Sequence, residues 1–260
     1  MSSLVGSNLA AGQQGNTAAT MPVCCPVVEL RQYTLHPGQR DVLIDLFDRE
    51  FVETQEAEGM RVIGQFRDLD NPDRFVWLRG FANMPGRARS LGAFYGGPVW
   101  KAHRNAANAT MIDSDNVLLL RPARPKSGFS LEKLRRPVPG STEVPKTLVI
   151  ATIYYFDAPP DAALIDSFER EVLPVHRSAG AATIGWFVTE ESPNTFPALP
   201  VREGEHVMVI FSSFSDGAAC DRYLAGLERS GGTPKALSSR LKRAPETLRL
   251  SPTSRSLLGN

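Results

Sequence analysis

Leu43 to Phe66 reads LIDLFDREFVETQEAEGMRVIGQF, and Leu164 to Phe187 reads LIDSFEREVLPVHRSAGAATIGWF. The two stretches align without a gap at a constant offset of 121, and ten of their 24 positions are identical. The identities are Leu43/Leu164, Ile44/Ile165, Asp45/Asp166, Phe47/Phe168, Arg49/Arg170, Glu50/Glu171, Gly59/Gly180, Ile63/Ile184, Gly64/Gly185 and Phe66/Phe187. Tyr33 and Tyr154 fall on the same offset upstream. Solenoid repeats recur every ~20–50 residues, so this longer period predicts two copies of one small domain, packed together as a pseudo-dimer.

Around the first stretch, Val27 to Thr34 has the β-branched content of a strand, and His36-Pro37-Gly38 is a turn signal. Apolar residues at helical spacing between Gln39 and Glu58 predict a helix that Gly59 stops. Arg61 to Phe66 and Phe75 to Phe81 read as strands. A helical region from Pro85 to Thr110 is broken by Gly96-Gly97-Pro98, and Val117 to Leu120 closes the unit. The order strand, helix, strand, strand, helix, strand is the ferredoxin-like βαββαβ plan. The expected fold class is α+β: two tandem ferredoxin-like domains packed sheet to sheet as an intrachain dimeric α+β barrel. The expected organisation is a disordered tail over 1–26, copy one over 27–122 and a Pro-rich, basic surface linker over 123–146. A diverged copy two over 147–252, with a longer loop at 191–205, and a tail over 253–260 complete it.

A net charge of +1 sets up no field that would draw nucleic acid or an anionic membrane. No apolar run approaches the ~18–20 residues that span a bilayer. The three cysteines, two of them adjacent, argue against a disulfide framework, and no Cys/His spacing suits zinc. With no secretory signal pattern at the N-terminus, the expected location is cytoplasmic.

Side chains alternate along a strand. Val28 and Leu30 share one face, expected against the helices. Glu29, Arg31 and Tyr33 share the other with Phe75, Trp77, Arg79 and Phe81, and Gln65 shares a face with Ile63. If the sheets pack face to face, Glu29, Arg31, Tyr33, Gln65, Trp77 and Arg79 gather inside the closed barrel, where buried charges require partners. Copy two places Ile150, Thr152, Tyr154 and Trp186 at the positions of Glu29, Arg31, Tyr33 and Gln65. That asymmetry puts the polar pocket in copy one. A second feature is the run Phe94 to Arg104, where Trp100 and His103 are i, i+3 neighbours. A histidine beside a cleft can act as a general base or an axial haem ligand, though no ligand spacing supports haem. There is no GxGxxG fingerprint, Walker sequence or nucleophile elbow.

Several runs resemble the NIPSNAP family. They are Glu29-Leu30-Arg31 with Tyr33-Thr34, Val62-Ile63-Gly64-Gln65-Phe66, Arg74 to Phe81, and Phe94 to His103. The resemblance covers nearly all of copy one and implies the dimeric α+β barrel superfamily. Its members include cofactor-independent monooxygenases, haem-handling proteins and small-molecule binders. The expected function is binding or transforming a small aromatic, quinone-like or carboxylate molecule. Glu29, Arg31, Gln65, Phe75, Trp77, Arg79 and Trp100 would hold the ligand, and Tyr33 or His103 would move a proton. No cofactor or metal is expected. If there is catalysis, a cofactor-independent monooxygenase is the nearest analogy. The alternative is a non-enzymatic scaffold or interaction module whose ion network is structural. The expected partners are a small ligand and the chain's own second copy, with no nucleic acid; an exposed sheet edge would allow a further homo-oligomer.

Overall fold

The computed structural model describes residues 24–259 apart from 232 and 234. The tail expected over 1–26 therefore lies outside the described residues except for its last three. The first half runs β1 (Val27–Leu35), α1 (Arg40–Leu46), a π-helical turn (Phe47–Phe51), α2 (Val52–Ala57), β2 (Arg61–Asp68) and β3 (Arg74–Phe81). It continues through α3 (Met84–Gly96), α4 (Pro98–Asn108), β4 (Met111–Asp113) and β5 (Val117–Pro122). The second half runs β6 (Leu148–Phe156), α5 (Ala162–Ser167), a π-helical turn (Phe168–Val172), α6 (Leu173–Ser178) and β7 (Ala182–Thr189). It ends with β8 (His206–Phe214), α7 (Gly217–Arg229), the short α8 (Lys235–Ser238) and β9 (Glu246–Pro252). No helix among the described residues is long and apolar enough to cross a membrane.

Strands pair in the order β5-β1-β3-β2 in the first half and β7-β8-β6-β9 in the second. Two short antiparallel seams join the halves. Phe66, Arg67 and Asp68 of β2 face Pro252, Ser251 and Leu250 of β9, and Leu120, Arg121 and Pro122 of β5 face Thr189, Val188 and Phe187 of β7. Eight strands thus close into a ring, which removes the long free edges an open sheet would expose. The short β4 adds to the far end of β1.

The identical positions between the halves have local physical causes. Gly59 and Gly180 end their helices with φ of 84° and 105°, a backbone region costly for residues with a Cβ. Gly64 and Gly185 sit where β2 and β7 shift register against their neighbours. A Cβ on Gly64 would lie 2.5 Å from the Phe66 ring, and one on Gly185 would lie 2.9 Å from the Phe187 ring. Glycine is thus what lets each phenylalanine fold back over the bulge into the barrel.

The barrel interior is apolar and filled. Val28, Leu30, Ile63, Phe66, Val76 and Leu78 meet Val149, Ala151, Ile153, Val209 and Phe211 there. The face assignment expected from the sequence is therefore inverted: Val28 and Leu30 point into the barrel, and the charged face of β1 and β3 points to the helices. Both faces of these strands are buried, so alternation marks two faces without saying which one is inside. The bulge at Gly64 also separates Gln65 from Ile63; Ile63 enters the barrel, while Gln65 donates to Asp48 on the helical side at 3.0 Å.

Two segments expected on the surface are partly internal. In the 123–146 linker, Phe129 and Leu131 enter the barrel core, with the Phe129 ring 4.8 Å from Phe187 and 5.2 Å from Phe211. In the expected 253–260 tail, Leu257 and Leu258 are buried in the same core, and the Leu258 N–H donates to the Ile63 carbonyl at 3.0 Å. Strand side chains leave space in so wide a ring, and these segments fill it; the prolines of the one and the serines of the other masked short apolar anchors. Cys24 and Cys25 lie side by side ahead of β1, and Cys220 is a buried free thiol.

Candidate functional site

Between the first-half sheet and its helices, one carboxylate is surrounded by three guanidinium groups. Glu29 and Arg31 lie two apart on β1, so they share the helix-facing side, and Arg79 on β3 is the cross-strand partner of Glu29. Arg87 comes from the first turn of α3, which Asn83 caps by accepting from the Gly86 N–H. Glu29 Oε2 accepts from Arg31 Nη1 at 2.8 Å and from Arg79 Nη2 and Nε at 2.6 and 3.0 Å; its Oε1 accepts from Arg87 Nε at 2.7 Å. All four side chains are fully buried.

Burial alone would raise the Glu29 pKa, but the fields of Arg79, Arg31 and Arg87 overcome it and hold the carboxyl well below the usual range. Burial pulls Arg87 down from the ordinary guanidinium value, against the attraction of Glu29. No other carboxylate among the described residues pairs with these arginines, so three cations face one anion. Neutral acceptors take most of the remaining donors. Arg31 donates to the Tyr33 hydroxyl at 2.9 Å, and Arg79 donates to Gln55 Oε1 at 2.9 Å. Arg87 Nη1 donates to Asn194 Oδ1 and Thr195 Oγ1 at 2.9 and 3.2 Å, while its buried Nη2 has no partner.

Beside this cluster lies a cavity of about 30 Å³ walled by Tyr33, Phe47, Phe51, Gln55, Trp77, Phe94, Tyr95 and Trp100, among others. Trp77 Nε1 is buried without a hydrogen-bond partner. The Arg79 guanidinium lies 4.9 Å from the Trp77 ring centre, within cation–π range. Burial raises the Tyr33 phenol above its ordinary pKa, keeping it protonated.

The structure brings Glu29, Arg31, Tyr33, Trp77, Arg79 and Trp100 together, on the helical side and not inside the barrel. The other expected residues stand apart. Phe75 is packing, edge-on to Tyr33 and Phe47. Gln65 is held by Asp48 and Arg136. His103 is half-buried, edge-on to the outer side of Phe51, with its Nε2 3.5 Å from Glu50 Oε2, and it does not line the cavity. Arg87, Gln55 and Tyr95 escaped the sequence reading because they come from helices whose turn toward the sheet no strand alternation reveals. The 191–205 loop, whose role the sequence did not decide, belongs to the second half yet covers the first. Its Thr195 donates to the Met84 carbonyl at 3.2 Å, and its Phe196 stacks on Tyr95 at 6.0 Å.

The matching place in the second half is neutral. At the repeat offset His176 replaces Gln55, and its ring nitrogens bond the hydroxyls of Tyr154 and Tyr223 at 2.8 and 2.6 Å. Burial lowers His176 to about 4, so the imidazole is uncharged at neutral pH.

A closed antiparallel ring of eight strands with helices packed outside it, and a charged aromatic site under those helices, defines an α+β barrel protein. Residues 28–125 match the NIPSNAP family model, so the resemblance read from the motifs of the first half is shown there. No curated protein matches this sequence. Among crystal structures, a candidate monooxygenase from Fusobacterium nucleatum shares the fold over 91% of this chain and 96% of its own, at a TM-score of 0.54 and 6% identity. Another, from Lactobacillus acidophilus, covers 89% of this chain and 98% of its own, at a TM-score of 0.50 and 12% identity. These are likenesses of fold alone, and they span both halves. A NIPSNAP family protein from Agrobacterium tumefaciens is 23% identical, covering 37% of this chain and 84% of its own, at a TM-score of 0.35.

Proposed function

We propose that the chain is a pair of ferredoxin-like copies, 27–122 and 147–252, whose first copy binds a small aromatic or quinone-like molecule carrying a carbonyl or carboxylate oxygen. The observation that carries this reading is the buried Trp77 N–H, a donor with no acceptor, on the wall of an aromatic cavity beside an excess of buried positive charge. A buried donor left unpaired costs ~1–3 kcal/mol, and a ligand oxygen would satisfy it. Arg31 and Arg79 supply the field that favours an anionic or polarised oxygen. Phe51, Phe94 and Trp100 supply apolar faces.

As closed, the cavity has room for a water molecule or two. A larger ligand enters when the cover of Tyr95, Trp100 and Phe196 opens. That cover is formed by the Gly97 break between α3 and α4 and by the 191–205 loop, so opening would break the bonds of Asn194 and Thr195 to Arg87 and of Thr195 to Met84. The monooxygenase names of the fold neighbours make oxygen insertion without a cofactor the first activity to assay, by fold analogy only.

A second reading is favoured by two observations: the barrel interior is filled, and both Glu29 oxygens are bonded, as in a structural ion network. Native mass spectrometry of protein from its own host, together with Trp77→Phe, separates the two. A co-purifying small molecule lost in Trp77→Phe supports the ligand site. A bare chain mass, with no change in tryptophan emission on adding menadione or benzoate, leaves the scaffold reading.

A further inference from the structure

The groove beside β2 in the first half is filled by the chain's own linker. Arg136 donates to Glu56 Oε1 at 3.0 Å, to Gln65 Oε1 at 3.3 Å, to the Arg255 carbonyl at 2.7 Å and to the Val62 carbonyl. At the repeat offset the second half carries Arg177 for Glu56, Trp186 for Gln65 and Thr183 for Val62. The charge at the centre of the groove is therefore reversed. No described residue takes the part of Arg136 there.

Instead, a groove of about 800 Å³ opens beside β7, within the ~300–1,000 Å³ range of small-molecule sites. Its apolar wall includes Leu134, Leu173, Ile184 and Trp186, and Lys126 and Arg177 supply its cations. Among the described residues, neither cation has an acidic partner. The Thr183 hydroxyl is buried in the same wall with no hydrogen-bond partner. None of these residues lines the first-half cavity.

We propose that the groove beside β7 binds a small organic acid. Its anionic head sits on Arg177 and Lys126, and its apolar body lies along Trp186, Leu173 and Leu134. In the first half, a carboxylate in this position is met by an arginine from the linker. In the second half, an arginine in the same position waits for a carboxylate that the described chain does not supply. An aliphatic or aromatic acid brings both the charge and the apolar area that the walls lack.

The test is calorimetric titration of the full chain with octanoate, with octanol as the uncharged control. The expected result is at least tenfold tighter binding of octanoate, weakening as salt is added because the ion pair is partly exposed. Arg177→Glu should abolish the preference for the acid while leaving octanol binding unchanged. Arg177 is exposed at the end of α6, and its backbone carbonyl, not its side chain, accepts from Gly180, so this variant should fold. Trp186→Phe should weaken both ligands. Equal affinity for acid and alcohol, or octanoate binding unaffected by Arg177→Glu, overturns the proposal. So does failure of octanoate where N-acetylated tetraglutamate binds through Arg177, because the occupant would then be a peptide.

Discussion

Glu29→Gln keeps the shape of the central side chain and removes its charge. In the folded protein Glu29 receives four charge-assisted hydrogen bonds from three arginines, all fully buried. With glutamine, one oxygen becomes an NH2 group that faces a donor, and three guanidiniums remain with no anion. Breaking a buried ion pair by removing one partner costs ~3–5 kcal/mol, and stranding three cations puts this case at the upper end, about 5 kcal/mol. Arg79→Met is the informative contrast. It removes three hydrogen bonds but leaves Glu29 bonded to Arg31 and Arg87 and lowers the excess of positive charge. Its expected cost is about 2 kcal/mol, the order of a few charged hydrogen bonds offset by relieved repulsion. Urea unfolding at pH 7 reads both. For a slope of about 3 kcal/mol per molar, the midpoint should fall by about 1.7 M for Glu29→Gln and by about 0.7 M for Arg79→Met. Because the folded-state pKa of Glu29 is depressed, its contribution is present above the ordinary glutamate value and is lost only as pH falls through that depressed value. The difference between wild type and Glu29→Gln should therefore persist down to about pH 4. If Arg79→Met is the more damaging of the two, the cluster is not organised around Glu29 and the charge reasoning fails.

Asp48 and His176 should give opposite pH slopes. Burial raises Asp48 from 3.8 to about 6, so its cost appears as pH rises through that window; Asp48→Asn should stabilise by about 3 kcal/mol at pH 8 and by little near pH 4. His176 is lowered from 6.5 to about 4, so wild-type stability is lost as pH falls through that window, and His176→Gln should remove that slope in thermal melts. Gly64→Ala should cost ~1–3 kcal/mol because its Cβ meets the Phe66 ring, whereas Gly92→Ala, in open space on α3, should be neutral or mildly stabilising in the same melts. Phe129→Ala should cost ~3–5 kcal/mol if the linker anchors in the barrel, and nearly nothing in urea unfolding if it merely crosses the surface.

The offset of 121, with its matched glycines and apolar spacing, determined the order of elements from sequence alone, because local periodicity and turn chemistry are written in neighbouring residues. It also brought Glu29, Arg31, Tyr33, Trp77 and Arg79 onto one face, since side-chain alternation is a property of any strand. Which face that was only the tertiary structure decided. Both sides of β1 and β3 are buried, so the choice rests on what packs against them, and an interior closed by two sheets accepts the apolar side and excludes the charged one. Arg87 and the loop that bonds it are more than a hundred residues apart, and nothing local to either marks the encounter. The filled barrel has the same cause: Phe129 and the Leu257-Leu258 pair are short apolar anchors in segments rich in proline or serine, and their burial follows from the space a closed ring leaves, which exists only once both halves have met.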